Sequence, residues 1–448
     1  MRGRPPLPPG PYLVVGLARS GAAAARALLA HGEVMGCDLG RPVEADALAA
    51  TGVEMAVESD GVELLPRART VIKSPGVPAG APAVAAARAR GIDVMGELEL
   101  AWRMLPNEFV AVTGTNGKTT TVELLGAIYR AAGLEVAVAG NVGTALASLV
   151  GPEGPGPEAT IVCEASSFQL EDAVEFAPEA AVLLNLSEDH VDRHGTLAAY
   201  REAKLRIFAR QSPEDVAVLP LGFDARPGAA RYVRFGRAPE AQLSCVEGIL
   251  RWEGDELVPA DGLRLRGAHN LENAMAAAAA ALARGVDAEA VAEALRAFPG
   301  VPHRLEEVAE RDGVLYVNDS KATNPDSARV ALEAFAGGVH AIMGGSLKGG
   351  GFGALRQPVA ERCRAVYLIG EAADRLAADL AGAAPLRRAG TLARAVEAAS
   401  EAARPGEVVL LSPACASFDA FRDYEHRGAT FRALARALAP AGARAPAG

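Results

Sequence analysis

The sequence predicts an α/β protein of three domains with mainly parallel sheets, and three observations carry that expectation. Short apolar runs alternate with helical patterns along the whole chain. Two early runs end in glycine-bearing turns that open a helix, at Gly16–Gly21 and at Gly114–Thr119. A length of 448 residues suggests about three domains. The expected boundaries are 1–98, a Rossmann-like N-terminal domain, then 99–300, a central P-loop ATPase-type domain with a mostly parallel sheet, then 301–448, a Rossmann-like C-terminal domain.

The first unit opens with a strand at Tyr12, a helix through Ala30 and a second strand ending at Asp38. The pattern is similar to a dinucleotide fingerprint with its acidic residue downstream. Ala18 holds the middle glycine position, where a methyl group would crowd a pyrophosphate, so the fold is expected without NAD.

The most informative stretch is Phe109–Thr121. An apolar run reads as a buried strand, Gly114-Thr115-Asn116-Gly117-Lys118-Thr119 as a tight turn, and Thr121 onward, after Thr120, as a helix. Such a turn aims backbone N–H groups at an anion, and the helix dipole adds positive potential. Lys118 supplies a point charge for β/γ-phosphates, and the Thr119 hydroxyl suits Mg²⁺. Val112 stands where the longer pattern has its first glycine, so the loop is a shortened one. The expected ligand is a nucleoside triphosphate.

Further along, a strand at Thr160–Cys163 leads into Glu164, a carboxylate well placed as an Mg²⁺ ligand. A strand over Ala181–Leu186 runs into the polar turn that holds His190, open to both a surface and a ligand reading. In the helix Leu197–Phe208, Lys204 shares a face with Leu197, Tyr200, Ile207 and Phe208. It either snorkels outward or is buried beside a compensating charge, and burial lowers an amine's pKa and makes it nucleophilic. The third unit carries strands at Val314–Val317, Ala341–Met343, Ala365–Ile369 and Val408–Leu411, followed by Asp319, Gly344, Glu371 and Ser412 at a ligand-binding edge. Cys415 reads as a small packed residue, Gly349–Gly351 as a flexible turn, and Arg422, Arg427 and Arg432 as a solvated helix face.

Composition narrows the partners. A net charge of −10 argues against nucleic acid and anionic membranes. Five scattered cysteines without a CxxC pair read as reduced and cytoplasmic. Met1–Pro11, with two arginines and five prolines, has no signal-peptide pattern, and the apolar block Ala274–Ala283 is too short to span a membrane. A frayed end is expected from Ala439.

The motifs then form a series: GTNGKT (114–119), SSFQLE after Glu164, NLSEDHVDRHG (185–195), YREAKLRIF (200–208), HNLENAMAA (269–277), PHRLE (302–306), NDSKATNPDS (318–327) and SPACASFDAFRDYEHRG (412–428). In this order and over the whole chain they resemble the Mur ligase superfamily, the ATP-dependent amide-forming enzymes of peptidoglycan precursor synthesis. The resemblance implies addition of D-glutamate to UDP-N-acetylmuramoyl-L-alanine through an acyl phosphate and a tetrahedral intermediate, with release of ADP and phosphate.

The same resemblance implies roles by position. Lys118 and Thr119 match the phosphate and Mg²⁺ positions, Glu164 a first metal site, and His190 with a CO₂-derived carbamate on Lys204 a second. Asn270 and Asn273 match positions near the adenine, Arg304 and Asp319 residues that reach the nucleotide, and Lys321 one in the catalytic cleft. Ser20, Asp38, Gly76, Asn141, Ser166 and Gln169 would serve the UDP-sugar, and Thr323, Lys348, Ser417 and Tyr424 the D-glutamate. Ala18 and Arg19 depart from a first-domain turn that commonly reads G-L-G, and Tyr424 stands where a well-known relative has phenylalanine. A sister ligase adding L-glutamate, L-lysine or diaminopimelate is the nearest alternative, and folylpolyglutamate synthase shares the P-loop and the chemistry. A P-loop kinase or ATPase would explain nothing after residue 300. A monomer is expected, with a hinge near Pro299–Pro302.

Overall fold

The computed structural model describes residues 3–187, 191–265, 267–347 and 350–438. Contacts divide the chain into two compact units, 1–263 with 269–298, and 264–268 with 299–448. Among the described residues three sheets form, two in the first unit and one in the second.

The first sheet holds β1 (Tyr12–Val15), β2 (Val34–Asp38), β3 (Glu54–Val57), β4 (Thr70–Lys73) and β5 (Asp93–Gly96), all parallel in the order β3-β2-β1-β4-β5. β1 is buried throughout, as expected of a central parallel strand covered on both faces. A Cβ on Gly21 would lie 1.8 Å from the Gly16 carbonyl oxygen, so the last fingerprint position admits only glycine. The helix that follows covers Arg19–Leu28, two residues shorter than expected.

The second sheet holds β6 (Glu108–Thr113), β7 (Val136–Gly140), β8 (Thr160–Glu164), β9 (Ala180–Leu183), β10 (Val216–Pro220), β11 (Arg231–Gly236), β12 (Leu243–Val246), β13 (Ile249–Trp252) and β14 (Asp255–Pro259). Its order is β14-β13-β12-β11-β10-β9-β6-β8-β7, which puts the strand before the phosphate loop between β9 and β8. β9 ends three residues before the expected Leu186. The sheet is mostly parallel, as expected, and its tail β12–β14 is antiparallel. Glu247-Gly248 and Glu253-Gly254, with φ of 51°, 73°, 52° and 100°, make the two-residue turns that such hairpins need.

In the second unit the sheet runs β15 (Glu306–Arg311), β16 (Val314–Asn318), β20 (Val408–Leu411), β17 (Val339–Gly344), β18 (Cys363–Ile369) and β19 (Leu386–Gly390). Only β15 is antiparallel, turned back at Asp312-Gly313. Alternate side chains feed two apolar clusters, Val317, Ala341 and Met343 on one face and Tyr316, Ile342 and Val409 on the other. No helix among the described residues is long and apolar enough to cross a membrane. The end expected to fray from Ala439 lies outside the described residues.

Candidate active site

β6 delivers the chain to the phosphate loop, and the helix after it starts at Lys118, three residues earlier than expected. Lys118 and Thr119 therefore sit in its first turn, where the helix dipole is strongest. Gly117 has φ 88°, and a Cβ there would strike the Asn273 side chain at 2.1 Å, so the turn requires glycine twice over. Lys118 Nζ donates to the carbonyls of Gly114 and Thr115, both at 2.8 Å.

The last residue of β8 faces this turn. Glu164 is buried, accepts the Thr119 hydroxyl at 2.8 Å on Oε2 and the Asn141 amide at 3.1 Å on Oε1. A hydroxyl and a carboxylate beside a phosphate loop are hard oxygen donors of the kind Mg²⁺ selects, so the donor set fits that ion. Among the described residues no group of three or more His, Cys, Asp or Glu is close enough to hold a metal. His190 lies outside the described residues.

Lys204 is buried and does not snorkel outward. It is 1% exposed, donates to the Gly114 carbonyl at 2.8 Å and lies 4.6 Å from the Tyr200 ring. As a protonated amine it is a donor only, so it could ligate a cation only after modification. Asn270 and Asn273 are buried and joined at 3.2 Å.

Sequence reasoning passed over Asn185. Its side-chain oxygen accepts the Asn116 N–H at 2.9 Å and its carbonyl accepts the Thr115 N–H at 3.1 Å. The Tyr200 hydroxyl completes the cage by donating to Thr115 Oγ1 at 3.1 Å. Asn185 and Tyr200 lie in the stretches NLSEDHVDRHG and YREAKLRIF, whose pattern alone assigns them no chemistry.

At the C-terminal end of the first sheet, Asp38 accepts the Leu17 N–H at 2.7 Å and the Gly40 N–H at 2.9 Å. These bonds shape an open cleft of about 410 Å³ lined by Leu17–Arg19, Asp38 and Gly40–Glu44. Ser20 lies in the first turn of the adjoining helix, and Gly76 is exposed in the turn after β4. Ser166 and Gln169 form a reciprocal capping box on the short helix Ser167–Leu170. Buried Glu97 takes the Ala147 N–H at 2.8 Å and the Gln169 side chain, and burial pushes its carboxyl up to about 7.

The second unit gathers its own group. Asp319 follows β16, accepts from Ser412 Oγ at 3.0 Å and from the Leu305 N–H at 3.2 Å. Burial raises its carboxyl to about 7, against the pull of these two bonds and of Arg304 nearby. Lys321 Nζ lies 5.3 Å from the Tyr424 ring, and the Thr323 N–H donates to the Lys321 carbonyl at 2.8 Å. Ser417 is buried in the turn after β20, and Lys348 lies outside the described residues.

Arg427 corrects an expectation. It is fully buried, not on a solvated face, and donates to the carbonyls of Cys415, Ala416 and Ser320 and to Ser320 Oγ at 2.8–3.1 Å. Burial lowers its guanidinium to about 10. Arg432 is also tied down, forked on Glu306 at 2.6–3.0 Å, while Arg422 is exposed as expected. Cys415 is packed and buried as expected.

Three family descriptions match the chain: "Mur ligase MurD-like, N-terminal domain" over residues 11–96, "Mur ligase middle domain" over 112–281 and "Mur ligase, glutamate ligase domain" over 303–415. A UDP-N-acetylmuramoylalanine–D-glutamate ligase of Acidobacterium capsulatum is 44% identical, covering 94% of this chain and 95% of its own. A protein of the same name from Pelotomaculum thermopropionicum is 43% identical, covering 95% and 97%. Among solved structures, the UDP-N-acetylmuramate-alanine ligase MurC of Thermotoga maritima superposes with a TM-score of 0.59 at 20% identity, over 94% and 97% of the two chains.

Proposed function

The chain belongs to the Mur ligase family, and on that premise we propose that it joins D-glutamate to UDP-N-acetylmuramoyl-L-alanine, driven by ATP, in peptidoglycan precursor synthesis. The observation that carries the reading is the buried Thr119–Glu164 pair beside Lys118, which suits phosphoryl transfer. Likeness to the D-glutamate ligases over nearly the full length supports the choice of substrates. Five free cysteines support a reducing, cytoplasmic setting.

A carboxylate is a poor electrophile, so the first step phosphorylates one of its oxygens and gives the acyl carbon a phosphate leaving group. An oxygen of the alanyl carboxylate attacks the γ-phosphorus, the bond to the β–γ bridging oxygen breaks, and ADP departs. The D-glutamate amine then attacks the acyl carbon to form a tetrahedral intermediate. Its collapse expels phosphate, and the amine proton is lost as the amide forms.

Lys118 and the loop Gly114–Thr120 hold the β/γ-phosphates, with the Thr115 and Asn116 amides bracing the loop on Asn185, while Asn270, Asn273, Arg304 and Asp319 serve the rest of the nucleotide. Mg²⁺ held by Thr119 and Glu164, with His190 and a carbamate on Lys204 for a second ion, would offset charge on the transferring phosphoryl group. Ser20, Asp38, Gly76, Asn141, Ser166 and Gln169 seat the sugar nucleotide. Lys321 belongs to the catalytic cleft, and Thr323, Lys348, Ser417 and Tyr424 serve the incoming amino acid.

Phosphate release with ATP, Mg²⁺ and UDP-N-acetylmuramoyl-L-alanine tests the reading against D-Glu, L-Glu, L-Lys and meso-diaminopimelate. Turnover with D-Glu alone is expected. Turnover only with another amino acid would move the assignment to a sister ligase.

A further inference from the structure

Two side chains that the proposed reaction does not use meet on the carboxylate of Glu171. Arg193 Nη2 lies 3.2 Å from Glu171 Oε2, and His194 Nδ1 lies 3.1 Å from Oε1. The other ring nitrogen of His194 is 3.0 Å from Ser167 Oγ. Phe168 packs against both, its ring stacked on His194 at 5.7 Å and 4.7 Å from the Arg193 guanidinium. The helix Ser167–Leu170, which starts three residues beyond Glu164, is thus held at both ends.

The same Arg193 nitrogen donates to the Val77 carbonyl at 3.0 Å, in the turn that carries Gly76. That carbonyl also accepts from Lys73 Nζ at 2.9 Å. Lys73 is wholly buried and paired at 2.7 Å with Asp172, the neighbour of Glu171, while Arg88 takes the other Asp172 oxygen at 3.0 Å. Residues 171–172 therefore anchor the Gly76 turn through two cations. Buried ion pairs are a poor way to gain stability, because desolvation consumes most of the Coulomb energy. What they supply is directional register between two loops, and both loops here are assigned to substrate.

We propose that Arg193 is a positioning residue that couples the sugar-nucleotide turn at Gly76 to the Glu164–Glu171 segment. The inference rests on the reaction assigned above. Seating the sugar nucleotide stiffens the Gly76 turn, and Arg193 passes that order to Glu171 and so to the segment that begins at Glu164. The sugar nucleotide and Mg²⁺–ATP should then favour each other's binding, and by linkage the effect is reciprocal.

Calorimetry with UDP-N-acetylmuramoyl-L-alanine, with and without Mg²⁺ and a non-hydrolysable ATP analogue, tests this. The wild type should show coupling of about tenfold, and Arg193→Met should reduce it to within about twofold. KM for the sugar nucleotide should rise with kcat at saturation little changed, and Arg193→Lys, which can keep one of the two bonds, should fall between. On the unliganded protein, Arg193→Met should speed hydrogen exchange over 74–80 and leave 12–15 unchanged. The exchange result does not depend on the substrate assignment, whereas a wild type that fails to bind the sugar nucleotide would count against that assignment. Wild-type coupling retained in Arg193→Met, or unchanged exchange over 74–80, would overturn the proposal.

Discussion

At the phosphate loop, Lys118 is held by carbonyls three and four residues behind it, and the glycine that shapes the turn sits beside it in sequence. At the Asn318–Lys321 turn of the second unit, the organising group is Arg427, 107 positions from the Ser320 it binds. The first region takes its turn from local backbone geometry, which a short motif encodes, and is braced from a distance by Asn185, Tyr200 and Lys204. The second is built from one buried cation that gathers distant carbonyls, which no local pattern encodes. Substitutions at the loop should therefore remove chemistry and spare the fold, while substitutions at the turn should loosen the fold first.

The largest effect is expected from Lys118→Ala. Turnover should fall by about 10³ or more, as for other groups aimed at a transferring phosphoryl, with thermal unfolding unchanged. A matching loss of melting temperature would remove the contrast between the two regions. Lys204→Ala should come next, losing most activity and recovering part of it when short carboxylates are added. An active, unsupplemented mutant would take the carbamate out of the mechanism.

Arg427→Met should lower the stability of the second unit by about 3 kcal/mol, because it strands several buried carbonyls. Urea unfolding followed by a probe in that unit measures it, and an unshifted midpoint would mean the cation organises nothing. A smaller effect is expected at Asp319. Its folded carboxyl, near 7 against the usual 3.8, holds a proton that the unfolded chain releases. That contribution to stability is complete below about pH 4 and lost as pH rises through 7. Asp319→Asn should therefore gain melting temperature over the wild type at about pH 8 and little at about pH 4, while weakening ATP binding. The smallest change is Tyr424→Phe, which keeps the ring beside Lys321 and should alter KM for D-glutamate by no more than a few-fold.

The same contrast explains what the sequence made legible. Strand ends such as Glu164, Asp319 and Ser412 could be placed because apolar runs stop there and a polar residue follows. The phosphate loop could be placed because glycine, lysine and threonine each have one use at a helix start. Lys204 was left between two alternatives, since an amphipathic face does not say what lies opposite it, and here that is the Gly114 carbonyl. Arg427 was misread although a signal existed. Residues five apart on a helix are turned by about 140°, so Arg427 and Arg432 cannot share one solvated face, and Arg422 precedes the helix, which starts at Tyr424. The hairpins of β12–β14 were missed because Glu-Gly is a weaker turn pair than Asn-Gly or Asp-Gly. Asp312-Gly313 is the stronger pair, and it turns β15 back on β16.

The most direct test of the central claim follows an atom. UDP-N-acetylmuramoyl-L-alanine labelled with ¹⁸O in its terminal carboxylate is turned over with ATP and D-glutamate, and the released phosphate is examined by mass spectrometry. Transfer of one carboxylate oxygen to each phosphate is the expected result, because the acyl–oxygen bond must break when the amine displaces it. Amide formation with unlabelled phosphate would contradict the acyl phosphate, and with it the role given to Lys118, Thr119 and Glu164.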